Sequence, residues 1–337
     1  MLYRRLSSGV VASLSAAGLL IAGGIIAAGP LNPPAGAVAP TYKTLTEVEP
    51  RIAINTANTP GDAGSLFKIT QPGSYYLMGN ITGVVGKSGI EIAASGVTLD
   101  LNGFDLVGVP GMGVFDGVIA TLPGLRNIAV VNGSIRGWGG NGLALNSPDA
   151  AGFSVVEIRA SANAGSGILT ANCLIHDCSV GLNTGGGISA GTGSIVNDCS
   201  AANNTGTGIA IGDGGTVEHC NASGNTLDGI LVVTRCVVRA NTCSGNGAGA
   251  GNGANIHVTG IRNRIEGNTC CSADRGIDVD SSANFIAMNT CSGNTSNWEV
   301  VAGNKCLVVN GANAAAISGN AGGVSPGSTD PNANFTY

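Results

Sequence analysis

Apolar residues recur along this chain in pairs separated by one residue, and the pairs themselves recur every 20 to 28 residues. The pairs, most of them opened by a glycine, start at Ile90, Val118, Leu143, Ile168, Ile188, Ile209, Ile230, Ile256 and Ile277, and Trp298 continues the column. Alternation with period two specifies strands, not helices. A second alternation follows a short Gly/Ser break, as in Val97-Thr-Leu99-Asp-Leu101. Each unit therefore holds two or three short strands, parted by Gly, Asn, Ser and Asp, which tolerate sharp turns and positive φ.

An interval of this length is that of one supersecondary unit stacking on the next. Short strands coiled at about 4.8 Å per turn make an all-β parallel β-helix, a solenoid with a single strand of each sheet per turn. About ten coils fit between Tyr75 and Asn320, because each needs only its neighbours to bury its apolar face. A leucine-rich solenoid lacks its leucine consensus here, and a propeller needs longer antiparallel blades.

Two polar columns run through the repeat. Ile158, Cys178, Cys199 and Cys220 each stand ten residues before the isoleucine that opens the next pair, and Cys243, Cys270 and Cys291 are expected to extend the column. Cysteine at a position that also takes isoleucine behaves as a small apolar residue. The expectation is free buried thiols, since in-register parallel side chains do not point at one another as a disulfide requires. The exceptions to watch are Cys270-Cys271 and a second column of Cys173, Cys236 and Cys306. One cysteine per coil makes a line, where zinc needs a tetrahedron. Asn163, Asn183, Asn204 and Asn225 form the other column. Stacked amides of this kind satisfy bend backbone from coil to coil. Asn-x-Ser/Thr triplets at Asn80, Asn132, Asn203, Asn221, Asn294 and Asn334 are what an Asn/Ser/Thr-rich repeat generates by chance.

Composition supports the same picture: 56 glycines, 4% aromatic and 10% charged residues disfavour helices, while 43% hydrophobic residues supply a core. The opening "MLYRRLSSGVVASLSAAGLLIAGGIIAAG" has the basic start, apolar run and small-residue end of a secretory signal over residues 1–28. An uncleaved anchor is the competing reading, since Val10 to Ala28 is nearly long enough to span a bilayer. After signal removal no membrane span is expected. A Pro-rich lead-in over 29–41, a capping region over 42–75, the β-helix over 76–320 and a tail over 321–337 follow. Without Arg4 and Arg5 the chain has 13 basic and 20 acidic residues, a net charge of −7, which argues against a nucleic-acid partner.

The segment "ITQPGSYYLMGNITG" running into "GIEIAASGVTLDLNGFDLVG", Ile69 to Gly108, resembles the opening coils of secreted bacterial right-handed parallel β-helix proteins of the pectate-lyase-like superfamily. The lead-in "YKTLTEVEPRIAINTANTPGDAGSLFKI" is similar to that of a largely uncharacterised branch of them. The resemblance implies a right-handed coil and a secreted, cell-surface or periplasmic location. It leaves the chemistry open, because that superfamily includes pectate lyases, polygalacturonases, alginate epimerases and non-catalytic surface proteins.

Its enzymes are similar in needing acidic clusters, with Ca²⁺ and an arginine base or with several aspartates. The chain has no Asp-Asp pair, no Gly-His-Gly and no Asp-Pro-His. The outward residue between the two apolar ones reads Glu91, Ile119, Ala144, Leu169, Ser189, Ala210, Leu231, His257, Asp278 and Glu299. The last three, with Asp280 and Thr259 further along their strands and Arg275 nearby, are the candidate site for acid/base work or Ca²⁺ at Asp278, Asp280 and Glu299. A second set, Asp177, Asp198 and His219 flanked by His176 and Glu218, reads as a solvated turn or a ligand site. Two functions remain: a non-catalytic surface or matrix scaffold that binds carbohydrate, or a divergent polysaccharide lyase, hydrolase or epimerase acting on an acidic polysaccharide.

Overall fold

In a computed structural model, residues 49–247, 253–310 and 330–337 are described; the expected signal and lead-in, the start of the capping region and residues 311–329 lie outside them. All regular structure among the described residues is β, and every ladder between strands is parallel, the only antiparallel pair being an isolated bridge between Pro60 and Phe67. One coil shows the plan. Ile188–Ala190 lies in one sheet; Ile195–Asn197 and Ser200–Ala202 lie in the next two faces; Ile209–Ile211 then stacks directly on Ile188–Ala190.

Three bends close each coil, most of them built on a left-handed residue. Gly193 and Gly214 serve the first (φ 71° and 69°), Asp177, Asp198 and His219 the second (φ 53°, 52° and 53°), and Leu182 and Asn203 the third (φ 60° and 56°). Asp and Asn at such positions are explained by their tolerance of this conformation. From Ala129 to Ser292 the stretch that holds the second and third strands is eight residues in every coil, kept in register by continuous pairing. Length differences fall at the bends on either side of the first sheet.

That first sheet has eleven strands, from Ser65–Ile69 to Ser296–Val300. The additional coil comes from Phe67, which pairs with Ile90 but lacks the glycine that marks most of the other openings. Within the region expected to cap the solenoid, Ile52–Ala53 pairs with Tyr75–Tyr76 and Ser65–Ile69 with Ser88–Ile92, so coil structure begins there. At the other end Asn334–Thr336 returns to lie between Thr290–Ser292 and Val308–Asn310.

The core is a set of stacks. Ile188, Ile209, Ile230, Ile256 and Ile277 form one and Ile175, Val196, Val217, Val238, Ile265 and Ile286 another, all at most 1% exposed. Asn163, Asn183, Asn204, Asn225 and Asn246 form a fully buried ladder in which each side-chain oxygen accepts both the backbone N–H and the Nδ2–H of the asparagine one coil earlier. Trp138 heads it. Its backbone N–H donates to Asn163 Oδ1 at 3.0 Å and its indole Nε1–H to Leu106 O at 3.0 Å.

All ten cysteines are unbridged. The register corrects one expected column. Cys220 is followed by Asn241, Asn268, Asn289 and Asn334, while Cys243, Cys270 and Cys291 stack on Val180, Ala201 and Ala222, two residues further along the coil. The cause is hydrogen bonding at the bend. Cys199 Sγ accepts the N–H of Cys178 at 3.5 Å, and Asn241 Oδ1 accepts that of Cys220 at 2.9 Å, so thiol and amide do the same work there. Cys306 pairs with Ile286 and is likewise outside the row of Cys173 and Cys236, which continues as Asn263, Asn284 and Asn304.

Candidate functional site

The outward row of the first sheet runs in register from Glu91 to Glu299, coil by coil as the repeat spacing implies. Its central members are apolar or small and half-buried, except Ala144, which is buried. Over Ala254–Val258, Arg275–Val279 and Ser296–Val300 the row turns ionic.

His257 is the hub. Its Nδ1 lies 3.2 Å from Asp228 Oδ2, and its Nε2 lies 3.0 Å from Asp280 Oδ2 and 3.9 Å from Asp278 Oδ2. Arg275 forms the second knot, with Nη1 2.8 Å from Asp278 and Nε 2.6 Å from Glu299. Four carboxylates thus face one imidazole and one guanidinium. Asp278 is 3% exposed, whereas the side chains of Asp280 and Glu299 are more than half exposed.

Asp228 was not visible to the alternation rule, which assigns the residue two places before Ile230 to the core side. Asp228 and Gly229 precede the strand Ile230–Val232, and the Asp228 carboxylate accepts the N–H of Ala254 at 2.9 Å while reaching His257. The Asp-Gly pair just ahead of a strand was the available signal. Thr259, by contrast, spends its hydroxyl on Val232 O at 3.2 Å.

The hydrogen bond from Asp228 is the largest influence on His257 and raises its pKa to about 9, against the cost of burial and with help from Asp280. The ring is therefore an imidazolium at neutral pH. Burial pushes Asp278 above the ordinary carboxyl range, with His257 and Arg275 pulling it back. A folded-state pKa above the ordinary 6.5 means that this contribution to stability is complete below pH 6.5 and is lost as pH passes through 9. Between pH 6 and pH 10 the wild type should lose up to about 3 kcal/mol more than His257→Gln, read from paired urea denaturation series.

The arrangement tests the Ca²⁺ reading directly. The Arg275 guanidinium sits between Asp278 and Glu299, the position a cation would share. His257, Asp278 and Asp280 bring one ligand atom each to within 4.8 Å of one another, and a metal ion there would have to displace the proton that His257 shares with Asp228 and Asp280. The residues do not fit a cation shared by Asp278 and Glu299, because Arg275 already bridges them.

The second set is looser. His176 Nε2 lies 3.0 Å from Asp177 and its Nδ1 3.7 Å from Asp198, both exposed, and His219 continues the same bend row without joining them. Beside them Glu218 pairs with Arg239. The positive φ at Asp177 and Asp198 accounts for the residue type.

Residues 83–246 match the family model described as the right handed beta helix region. No curated protein matches the sequence. Among solved structures the chain is similar to the pectate lyase Pel9A, with 16% identity and a TM-score of 0.52 over 63% of this chain and 65% of that one. It is also similar to the A-module of the Azotobacter vinelandii mannuronan C-5 epimerase AlgE6, with 14% identity and a TM-score of 0.48 over 79% of this chain and 90% of that one. A third is the catalytic domain of a GH87 α-1,3-glucanase in complex with tetrasaccharides, at 12% identity and a TM-score of 0.43, covering 85% and 57%. The chain spans just under two thirds of the length of Pel9A, and at these identities the likeness is one of fold.

Proposed function

For a chain that is a right-handed parallel β-helix protein, we propose the role of an exported, non-catalytic scaffold that binds a glycan along its eleven-stranded sheet, with the contact centred on Asp280 and Glu299. One observation carries this reading: both ring nitrogens of His257, and the buried carboxylate of Asp278, are engaged by neighbouring side chains. A general base needs a free lone pair within reach of the proton it takes. Here the imidazolium and the guanidinium hold the carboxylates in place, and the outer oxygens of Asp280 and Glu299 are left to accept hydrogen bonds from sugar hydroxyls. The half-buried apolar row from Ile119 to Leu231 lies on the same face, in line with them, and suits the apolar faces of sugar rings.

The export rests on the first 28 residues, and the partner is a polysaccharide or another cell-surface component. The test is a glycan array with the full chain, followed by chain-length measurement of any bound polymer. Asp280→Asn with Glu299→Gln should weaken binding at least tenfold and leave the bound glycan's length unchanged. Binding that ignores both substitutions overturns the assignment. Cleavage or unsaturated ends that vanish with Asp278→Asn would instead establish the enzymatic reading, favoured by the two exposed carboxylates on neighbouring coils.

A further inference from the structure

The core holds a row of thiols whose chemistry glycan binding does not use. Cys243, Cys270 and Cys291 are in direct register on three consecutive coils and are each 0% exposed. In the other cysteine row the sulfurs bond to backbone: Cys178 Sγ donates to His176 O at 3.3 Å, Cys199 Sγ to Asn197 O at 3.1 Å and Cys220 Sγ to Glu218 O at 3.2 Å. Among the described residues the Cys270 thiol has those of Cys243 and Cys291 as its polar neighbours. The Cys291 sulfur and the Asn294 Nδ2 lie 3.0 and 2.9 Å from where a Cβ on Gly276 would stand.

A line of thiols is the wrong shape for zinc, which asks for four ligands at the corners of a tetrahedron. It is the right shape for a soft monovalent ion that takes two ligands at opposite sides. Metal–thiolate bonds are about 2.3 Å, so two of them span about 4.6 Å, against a coil rise of about 4.8 Å. Soft sulfur ligands select Cu(I) and its like over hard cations, and complete burial of the three thiols keeps out competing bulk water. We propose that the Cys243–Cys270–Cys291 stack is a binding site for a soft monovalent cation, Cu(I) or Ag(I), held linearly between thiols of adjacent coils.

The chemistry balances without a redox step. One ion binds two thiols and releases one proton, leaving a neutral thiolate–metal–thiol unit that the apolar interior accepts. The metal replaces a proton, so no electrons move. Entry requires local parting of two coils, so loading should be slow and should stabilise the coils that close around it.

The experiment uses the reduced full chain and Ag(I), which needs no protection from oxidation. Native mass spectrometry counts bound ions and a thermal melt follows the coils. Cys270→Ser removes both adjacent pairs and should lower the count by every ion this stack holds. Cys243→Ser and Cys291→Ser each leave one pair and should each keep one ion here, while the double variant should keep none even though Cys270 is present. Cys271→Ser, next to the stack and bonded to Ser244, should match the wild type. An unchanged ion count and melting shift in the double variant would overturn the site, as would equal losses in Cys271→Ser. If Cys270→Ser fails to fold, the graded series of single and double variants still decides.

Discussion

Replacing Trp138 with alanine is expected to lower the unfolding free energy by about 3–5 kcal/mol. The indole is 1% exposed and fills a space kept open by glycines on neighbouring coils. A Cβ on Gly83 or Gly89 would come within 2.9 Å of its ring, and one on Gly117 within 3.0 Å of Nε1. Those glycines have no side chains to move into the vacated volume, which leaves only neighbours such as Met112 and Ile135 to relax toward it. The substitution also strips Leu106 O of its donor. Trp138→Phe should restore most of the packing and leave only that carbonyl unpaired, a loss of about 1–3 kcal/mol. Urea midpoints followed by circular dichroism separate the two; equal losses would mean that packing does not dominate.

Asn204→Ala should cost about 3–5 kcal/mol by a different route. No large volume is lost. Instead Asn183 loses the acceptor for its backbone N–H at 3.1 Å and its Nδ2–H at 2.9 Å, Asn225 Oδ1 loses a donor at 3.0 Å, and Val180 O loses one at 3.4 Å. All of these groups are sealed from water, so the desolvation penalty stands uncompensated. Asn204→Cys should recover part of the loss, because Cys199 already accepts a backbone N–H in the parallel ladder. A cysteine variant no better than alanine in the same denaturation experiment would show that the thiols are mere fillers.

Much of this architecture was legible in the sequence, for a physical reason. Period-two alternation fixes which residues face inward, and a repeat interval fixes which coil they belong to, whatever the bends between them do. That is why Leu231, His257, Asp278 and Glu299 could be aligned in advance and stand in one row. The cysteine column failed at Cys243 because aligning on residue type assumes one role per type. Cysteine has two roles here, at a bend and in a strand row. Asp228 was missed because it stands outside the strand Ile230–Val232, where alternation no longer fixes direction, and its carboxylate reaches His257. The returning strand Asn334–Thr336 left no local sign, since its partners in Thr290–Ser292 and Val308–Asn310 lie 45 and 26 residues away. The site residues were found as places where the repeat departs from itself. That their charges satisfy one another follows only from distances.

The constant eight-residue stretch of each coil has a consequence for how such a chain changes over generations. Insertions and deletions are absorbed at the bends that border the eleven-stranded sheet, while the two faces behind it keep their spacing. Recombination that swaps, lengthens or shortens these border segments alters the rim around the sheet without shifting any buried stack out of step. The longest departure from the short coils after Ala129 falls between Asn246 and Asn255, immediately before the strand of His257. Diversification of what the molecule displays is thereby separated, residue by residue, from inheritance of its pitch.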